Sequence, residues 1–322
     1  MATDQFNFRE ATSDDLDAIL DVCSVALGWT DPTFDRALFT WKHLDNAFGR
    51  SLLLVAEDDD GIAAVRPFMR WHFHDSSGET VAAARAVDTA THPRAHRMGL
   101  FRSLTVEGLT RLTESGTAFI FNTPNEQSLS GYLKMGWVDA GNVEFGYRIA
   151  SPISSPLSLT RLARARTKAE KRSIPTPELG ISIEDGLALL DPDEPCPRPG
   201  ISQSLNTAHT LRTLRWRYGS APMEYRFLPG PDKSGLIVRL RRRGAARELV
   251  VAERIGDLSN EKAGRSIRNV MRRVRADHAV GFGGLGGTVA TDRPGPRLAI
   301  RAIERSPTRS DISFQVGDIE VF

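Results

Sequence analysis

Three groups of residues in this sequence have types and spacings suited to chemistry. The first is the turn His96-Arg97-Met98-Gly99-Leu100-Phe101, which follows a strand and opens a helix. A diphosphate needs several converging N–H donors. A glycine-containing turn at a helix N-terminus supplies them from the backbone, while the helix dipole favours the anion. Arg94 and Arg97 add cations suited to phosphate. The second is Asp88, a carboxylate flanked by Ala86, Val87 and Ala90 in what reads as mid-strand. Burial there would raise its basicity and suit it to accept a proton; pairing with Arg85 or fixing a loop would explain it as well. The third is Tyr132, on a predicted helix, whose hydroxyl is either chemically active or simply hydrogen-bonded at a buried face.

Other patterns carry less. His72 and His74 share a strand face without a third ligand, so they read as solvated and no metal is expected. Gly281-Phe282-Gly283-Gly284-Leu285-Gly286 fits G-x-G-x-x-G, but the following Thr288 to Arg297, with Pro294 and Pro296, is a poor helix and the segment reads as a loop. Two distant cysteines, Cys23 and Cys196, offer no disulfide framework and suit a reducing compartment. The polar start Met1 to Gln5 is unlike a secretory signal, and no apolar run approaches the roughly 20 residues of a membrane span. A soluble, cytoplasmic protein is expected.

The elements that must position these residues alternate strand and helix over the first 150 residues. Phe6 to Ala11 reads as a strand, Thr12 to Asp15 as N-cap chemistry, and Leu16, Ile19, Leu20 and Cys23 as one helical face. A second helix spans about 34–44, strands follow near 52–57 and 62–73, and a long strand runs from Thr80 to Thr91. A helix over about 99–115, a central strand at 118–121, a helix over 128–135 and a strand near 144–149 complete this half. A Ser/Pro-flanked basic linker is expected at 151–177. The second half resumes with strands near 180–183, 224–228, 236–242 and 248–255, helices near 207–218 and 260–276, and closing strands at 298–303 and 312–316. Its order is similar to that of the first half, as an internal duplication would give. The fold class is α/β (α+β), a mixed sheet flanked by helices.

Residues 84–137 resemble the acyl-coenzyme A binding core of the Gcn5-related N-acetyltransferase (GNAT) superfamily. Val87-Asp88-Thr89-Ala90-Thr91-His92-Pro93-Arg94-Ala95-His96-Arg97-Met98-Gly99-Leu100-Phe101 is similar to that family's strand, Pro-x-x-Arg-Gly-x-Gly turn and helix, with His96 and Arg97 where the family usually has Gln or Arg and then Gly. Asn122 to Ser128, Tyr132 and Lys134-Met135-Gly136-Trp137 are similar to its Asn…Tyr-x-Lys-x-Gly-Phe segment. The resemblance implies acetyl-coenzyme A as cosubstrate, without a metal. It would be held by Val87, Thr89, Ala90, Thr91, Arg94, His96, Arg97, Met98, Gly99, Leu100, Phe101, Asn122, Asn125 and Ser128, with the pantetheine arm as an added strand partner. It implies Tyr132 as the acid meeting the departing thiolate, and Asp88 or a water chain as the base. Leu214-Arg215-Trp216-Arg217-Tyr218, Glu224-Tyr225-Arg226 and Gly317-Asp318-Ile319-Glu320 resemble a subgroup with a divergent second domain.

The expected function is transfer of acetyl from acetyl-coenzyme A to a primary amine, of a small molecule or peptide, by direct attack in a ternary complex. An aminoacyl-transferring relative and a non-catalytic acyl-coenzyme A responsive protein are the alternatives. The expected division is a catalytic domain over 1–150, the linker, and a divergent acceptor-shaping or structural domain over 178–322, in a monomer. The net charge of +2 hides two halves. Residues 1–150 carry 13 basic and 21 acidic side chains and the remainder 29 and 19, so the first half suits a cationic amine. The basic second half leaves an anionic partner, nucleic acid included, open.

Overall fold

The computed structural model describes residues 5–150, 161, 169–190, 204–281, 285 and 294–320. Most of the basic linker, the loop around Pro192 to Pro199, and residues Phe282, Gly283, Gly284 and Gly286 of the glycine-rich segment lie outside them. β1 (Asn7–Glu10) leads into α1 (Leu16–Leu27), and Thr12 and Asp15 exchange the two bonds of a capping box at the junction. α2 (Pro32–His43) starts on Asp31, which accepts from the Phe34 N–H at 3.1 Å. β2 (Leu52–Asp58), β3 (Gly61–His74) and β4 (Thr80–Ala86) form an antiparallel meander, and β5 (Ala90–Thr91) follows on the β4 side of β3. Next come α3 (Leu100–Glu114), β6 (Phe119–Asn122), α4 (Glu126–Lys134) and β7 (Val138–Glu144).

The chain continues with β8 (Gly146–Ile149), β9 (Ala169–Ser173), α5 (Ile183–Leu187), β10 (Leu205–Thr207), α6 (Leu211–Leu214) and β11 (Arg226–Pro229). β12 (Gly235–Arg243), β13 (Ala246–Ile255), α7 (Asn260–Arg273), β14 (His278–Gly281), β15 (Pro294–Ala302), β16 (Ile312–Ser313) and α8 (Val316–Ile319) close it. None of the described helices is long and apolar enough to cross a membrane.

Two units emerge, residues 1–141 with 296–311 and residues 142–295 with 312–322. In the first the sheet order is β1-β2-β3-β4-β6-β15-β7, with β4 and β6 parallel and joined by α3. In the second it is β11-β12-β13-β14-β8, with β13 and β14 parallel and joined by α7. Each unit thus repeats a meander, a helix and a parallel strand. The boundary falls at Gly141 instead of residue 150 because β8 pairs with β14, Gly146 opposite Gly281. The segment expected as a closing strand of the second half is β15, antiparallel to β6 in the first unit, where Leu298, Ala299 and Ile300 are buried.

The strand expected over 80–91 is broken at Val87-Asp88-Thr89. Phe68 pairs with Ala86 and Val65 with Ala90, so three residues oppose only Arg66 and Pro67, a one-residue bulge. Pro67 is its cause. Its partner Leu53 points its carbonyl at the Ala11 N–H (2.8 Å), away from β3. The nitrogen of Pro67 therefore faces the β4 side, where proline has no hydrogen to give.

Both faces of the first sheet are covered, which is why Leu52 to Ala56 is unbroken apolar sequence. Leu54, Ala56, Phe68, Ala84 and Ile120 pack under Leu100, Leu104 and Leu112 of α3; Leu53, Val55 and Val65 pack against Ile19, Cys23 and Phe39 of α1 and α2. Helix and sheet approach closest at Gly108, where an added Cβ would stand 2.2 Å from the buried Phe68 ring. Gly108→Ala is expected to cause a net loss of about 1–3 kcal/mol by overpacking, despite the ~1 kcal/mol of helix propensity alanine adds. Thermal unfolding would register it as a lower Tm.

Candidate active site

The turn before α3 combines two left-handed residues, Arg97 at φ 66° and Gly99 at φ 82°. Arg97 thus holds the backbone state for which glycine is the usual choice. Gly99 is the N-cap and brings no side chain to the free amides of the first helical turn. In the second unit the equivalent helix is closed, since Ser259 Oγ accepts from the Lys262 N–H at 3.3 Å. Only the first of these two termini is left open for an anion.

The neighbouring residues divide by partner. Arg97 is exposed beside the turn, whereas Arg94 is bound to Asp58 and to the Gly61 carbonyl (2.9 Å). Arg94 therefore braces the β2–β3 turn. His96 Nε2 lies 3.1 Å from the Thr91 carbonyl oxygen, and Met98 Sδ accepts from Gln5. Leu100 is buried, and Phe101 packs edge-on to Tyr132 with ring centroids 5.3 Å apart.

β4 and β6 part beside this turn. Their ladder pairs Ala83, Ala84 and Arg85 with Phe119, Ile120 and Phe121 and then stops, while β5, among the described residues, pairs with β3 alone. Val87 and Thr89 lie in the break, and Ala90 and Thr91 form β5. Asn122 ends β6 almost fully buried, its Oδ1 without a hydrogen-bond partner. Asn125 and Ser128 are occupied locally: Asn125 Oδ1 accepts from the Ser128 N–H at 2.9 Å as the N-cap of α4, and Ser128 Oγ donates to the Asn125 carbonyl at 3.2 Å.

Tyr132 is 4 % exposed on α4, and its hydroxyl oxygen accepts from Arg66 Nη1 at 2.8 Å. The same Nη1 donates to Thr89 Oγ1 in the bulge. The Arg66 guanidinium carbon lies 4.6, 5.3 and 5.2 Å from the ring centroids of Phe68, Phe101 and Tyr132. Sequence reasoning missed Arg66. The available signal was Arg66-Pro67, a charge and a missing donor inside an otherwise apolar strand.

Asp88 differs from its expected role. It sits in the bulge at φ 49°, and its carboxylate binds Lys42 and His43 Nε2, the latter at 3.0 Å. His43 Nδ1 lies 2.9 Å from Ser51 Oγ. Burial alone would raise the Asp88 carboxyl, but the Lys42 ammonium and the His43 hydrogen bond together hold it well below the usual carboxylate range. The pairing with Lys42 and His43 thus favours the carboxylate form, where burial alone would have raised its basicity. Lys42 and His43, at the end of an amphipathic helix, were not singled out from the sequence.

Burial lowers the His43 ring below its ordinary value of 6.5, against the opposing pull of Asp88. Both groups bind protons more readily in the unfolded chain, so stability is present at neutral pH and declines as pH falls, first through His43 below about 6.5 and then through Asp88 below about 4. Tm is expected to drop between about pH 7 and pH 5, and His43→Gln to flatten that segment in differential scanning calorimetry. Asp88→Asn removes the carboxylate that faces the buried Lys42 ammonium and should cost about 3–5 kcal/mol, measured by urea unfolding.

Residues 7–139 match the family model of the acetyltransferase (GNAT) domain. No curated protein matches the sequence. Crystal structures of similar fold include a GCN5-related N-acetyltransferase from Anabaena variabilis (12 % identity, 92 % of this chain and 72 % of that one, TM-score 0.58). The Kribbella flavida GCN5-related N-acetyltransferase is similar at 12 % identity (94 % and 72 %, TM-score 0.57) and Eis1 from Mycobacterium abscessus at 16 % (92 % and 73 %, TM-score 0.53). Residues 7–139 of this chain are thus an acetyltransferase (GNAT) domain.

Proposed function

We propose that the chain transfers the acyl group of an acyl-coenzyme A, in the first instance acetyl, to a primary amine by direct attack within a ternary complex. The observation that carries this reading is the parted β4–β6 ladder beside the uncapped N-terminus of α3. The amides of that terminus, with Arg97 beside them, fit a diphosphate. The free backbone edge along Val87 to Thr91 suits an extended pantetheine arm, and the unpartnered Asn122 Oδ1 suits an amide N–H donor.

In the proposed reaction the neutral amine attacks the thioester carbonyl, the C–S bond breaks, and Tyr132 gives its proton to the departing sulfur. The proton shed by the amine goes to water, because Asp88 is committed to Lys42 and His43. Asp88 holds the bulge in place. The acidic first half suits a cationic acceptor, of a small molecule or a peptide.

Free-thiol release from acetyl-coenzyme A across a panel of primary amines tests the reading. Tyr132→Phe should lower kcat about 100-fold or more while calorimetry finds coenzyme A affinity unchanged, and Gly99→Trp should abolish binding. No heat on coenzyme A titration, or binding that survives Gly99→Trp, counts against it.

A further inference from the structure

Arg66 is wholly buried, and its Nε and Nη2 have no hydrogen-bond partner among the described residues. Its hydrogen-bonded neighbours are two hydroxyls, and its guanidinium carbon lies over three aromatic rings. Such a cation is costly to bury, and an apolar side chain of similar length would fill the space at less cost. The rings offset part of that penalty. What the guanidinium supplies instead is direction. Arginine only donates, so the Tyr132 oxygen facing Nη1 must accept, and the tyrosine's own hydrogen must point away from Arg66.

We propose that Arg66 is a positioning residue for Tyr132, fixing its hydroxyl as a donor to the leaving sulfur and facing the phenolate once the proton has gone. The inference rests on the acyl-transfer reading above. As the C–S bond breaks its electron pair goes to sulfur, which takes the Tyr132 proton and leaves as the thiol. Water then returns a proton to the phenolate, whose charge Arg66 has met in the interval. Thr89, the second acceptor of Nη1, ties this arrangement to the bulge.

The test is a double-mutant cycle read in thiol release, with calorimetric coenzyme A binding and Tm alongside. Arg66→Met is expected to leave Tm equal or higher and coenzyme A affinity within about twofold, while kcat falls about tenfold or more at nearly constant KM. In a Tyr132→Phe background the same substitution should have no further effect, because the pair acts as a unit. Arg66→Lys, which keeps the cation but loses the fork, should recover part of kcat; its own cycle with Tyr132→Phe replaces the first if Arg66→Met fails to fold. Turnover unchanged in Arg66→Met, or an equal loss in the Tyr132→Phe background, overturns the role of Arg66 and leaves the acyl-transfer reading standing. Absence of thiol release by the unaltered protein with every amine overturns that reading and this inference with it.

Discussion

Pro67 has no hydrogen to give to the strand beside it, and much of the first unit follows from that one missing donor. The facing chain accommodates it with an extra residue, so Val87-Asp88-Thr89 leaves the ladder between β4 and β5. Asp88 then reaches Lys42 and His43 of α2, while Thr89 reaches Arg66 on the side of Tyr132 and Phe101. A continuous strand would alternate strictly and leave a carboxylate unsupported in an apolar core. The bulge, in left-handed backbone at Asp88, shifts the alternation by one residue, so that Ala84 and Ala86 face α3 while Asp88 and Ala90 face α1 and α2.

The two units share an order of elements and differ where chemistry would sit. Both send a helix from a meander to a parallel strand, but Gly99 leaves one helix N-terminus open and Ser259 closes the other. Cap chemistry, worth about 1 kcal/mol to a helix, is absent where an anion would supply it. The same contrast appears in buried charge. In the first unit Arg66 keeps donors without partners. In the second, Arg239 and Arg241 both pair with Glu320, and Arg241, Arg243 and His278 converge on Glu248. Among the described residues the positive charge of the second half is therefore partly internal, and Lys262, Arg268, Arg272 and Arg273 on α7 are exposed.

Much of the fold was legible in the sequence because its signals are local. The capping residues Thr12 and Asp15 and the apolar run of β2 each fix a short element by their own chemistry. The helical position of Tyr132 and the glycine that opens α3 follow from the same kind of pattern. Pairing between distant segments leaves no such trace. That β15 lies beside β6, or β8 beside β14, depends on which buried edge needs a partner after the meander has formed.

The sequence by itself determined the order of strands and helices, the glycine turn, and the motif that places residues 7–139 in their superfamily. Backbone stereochemistry and side-chain type act there over only a few residues. The tertiary structure alone decided that Asp88 is a paired anion, that Arg94 braces a turn, and that Arg66 meets Tyr132. A carboxylate's basicity and a guanidinium's partners depend on groups 23 to 66 residues away, and only folding brings them within reach of one another.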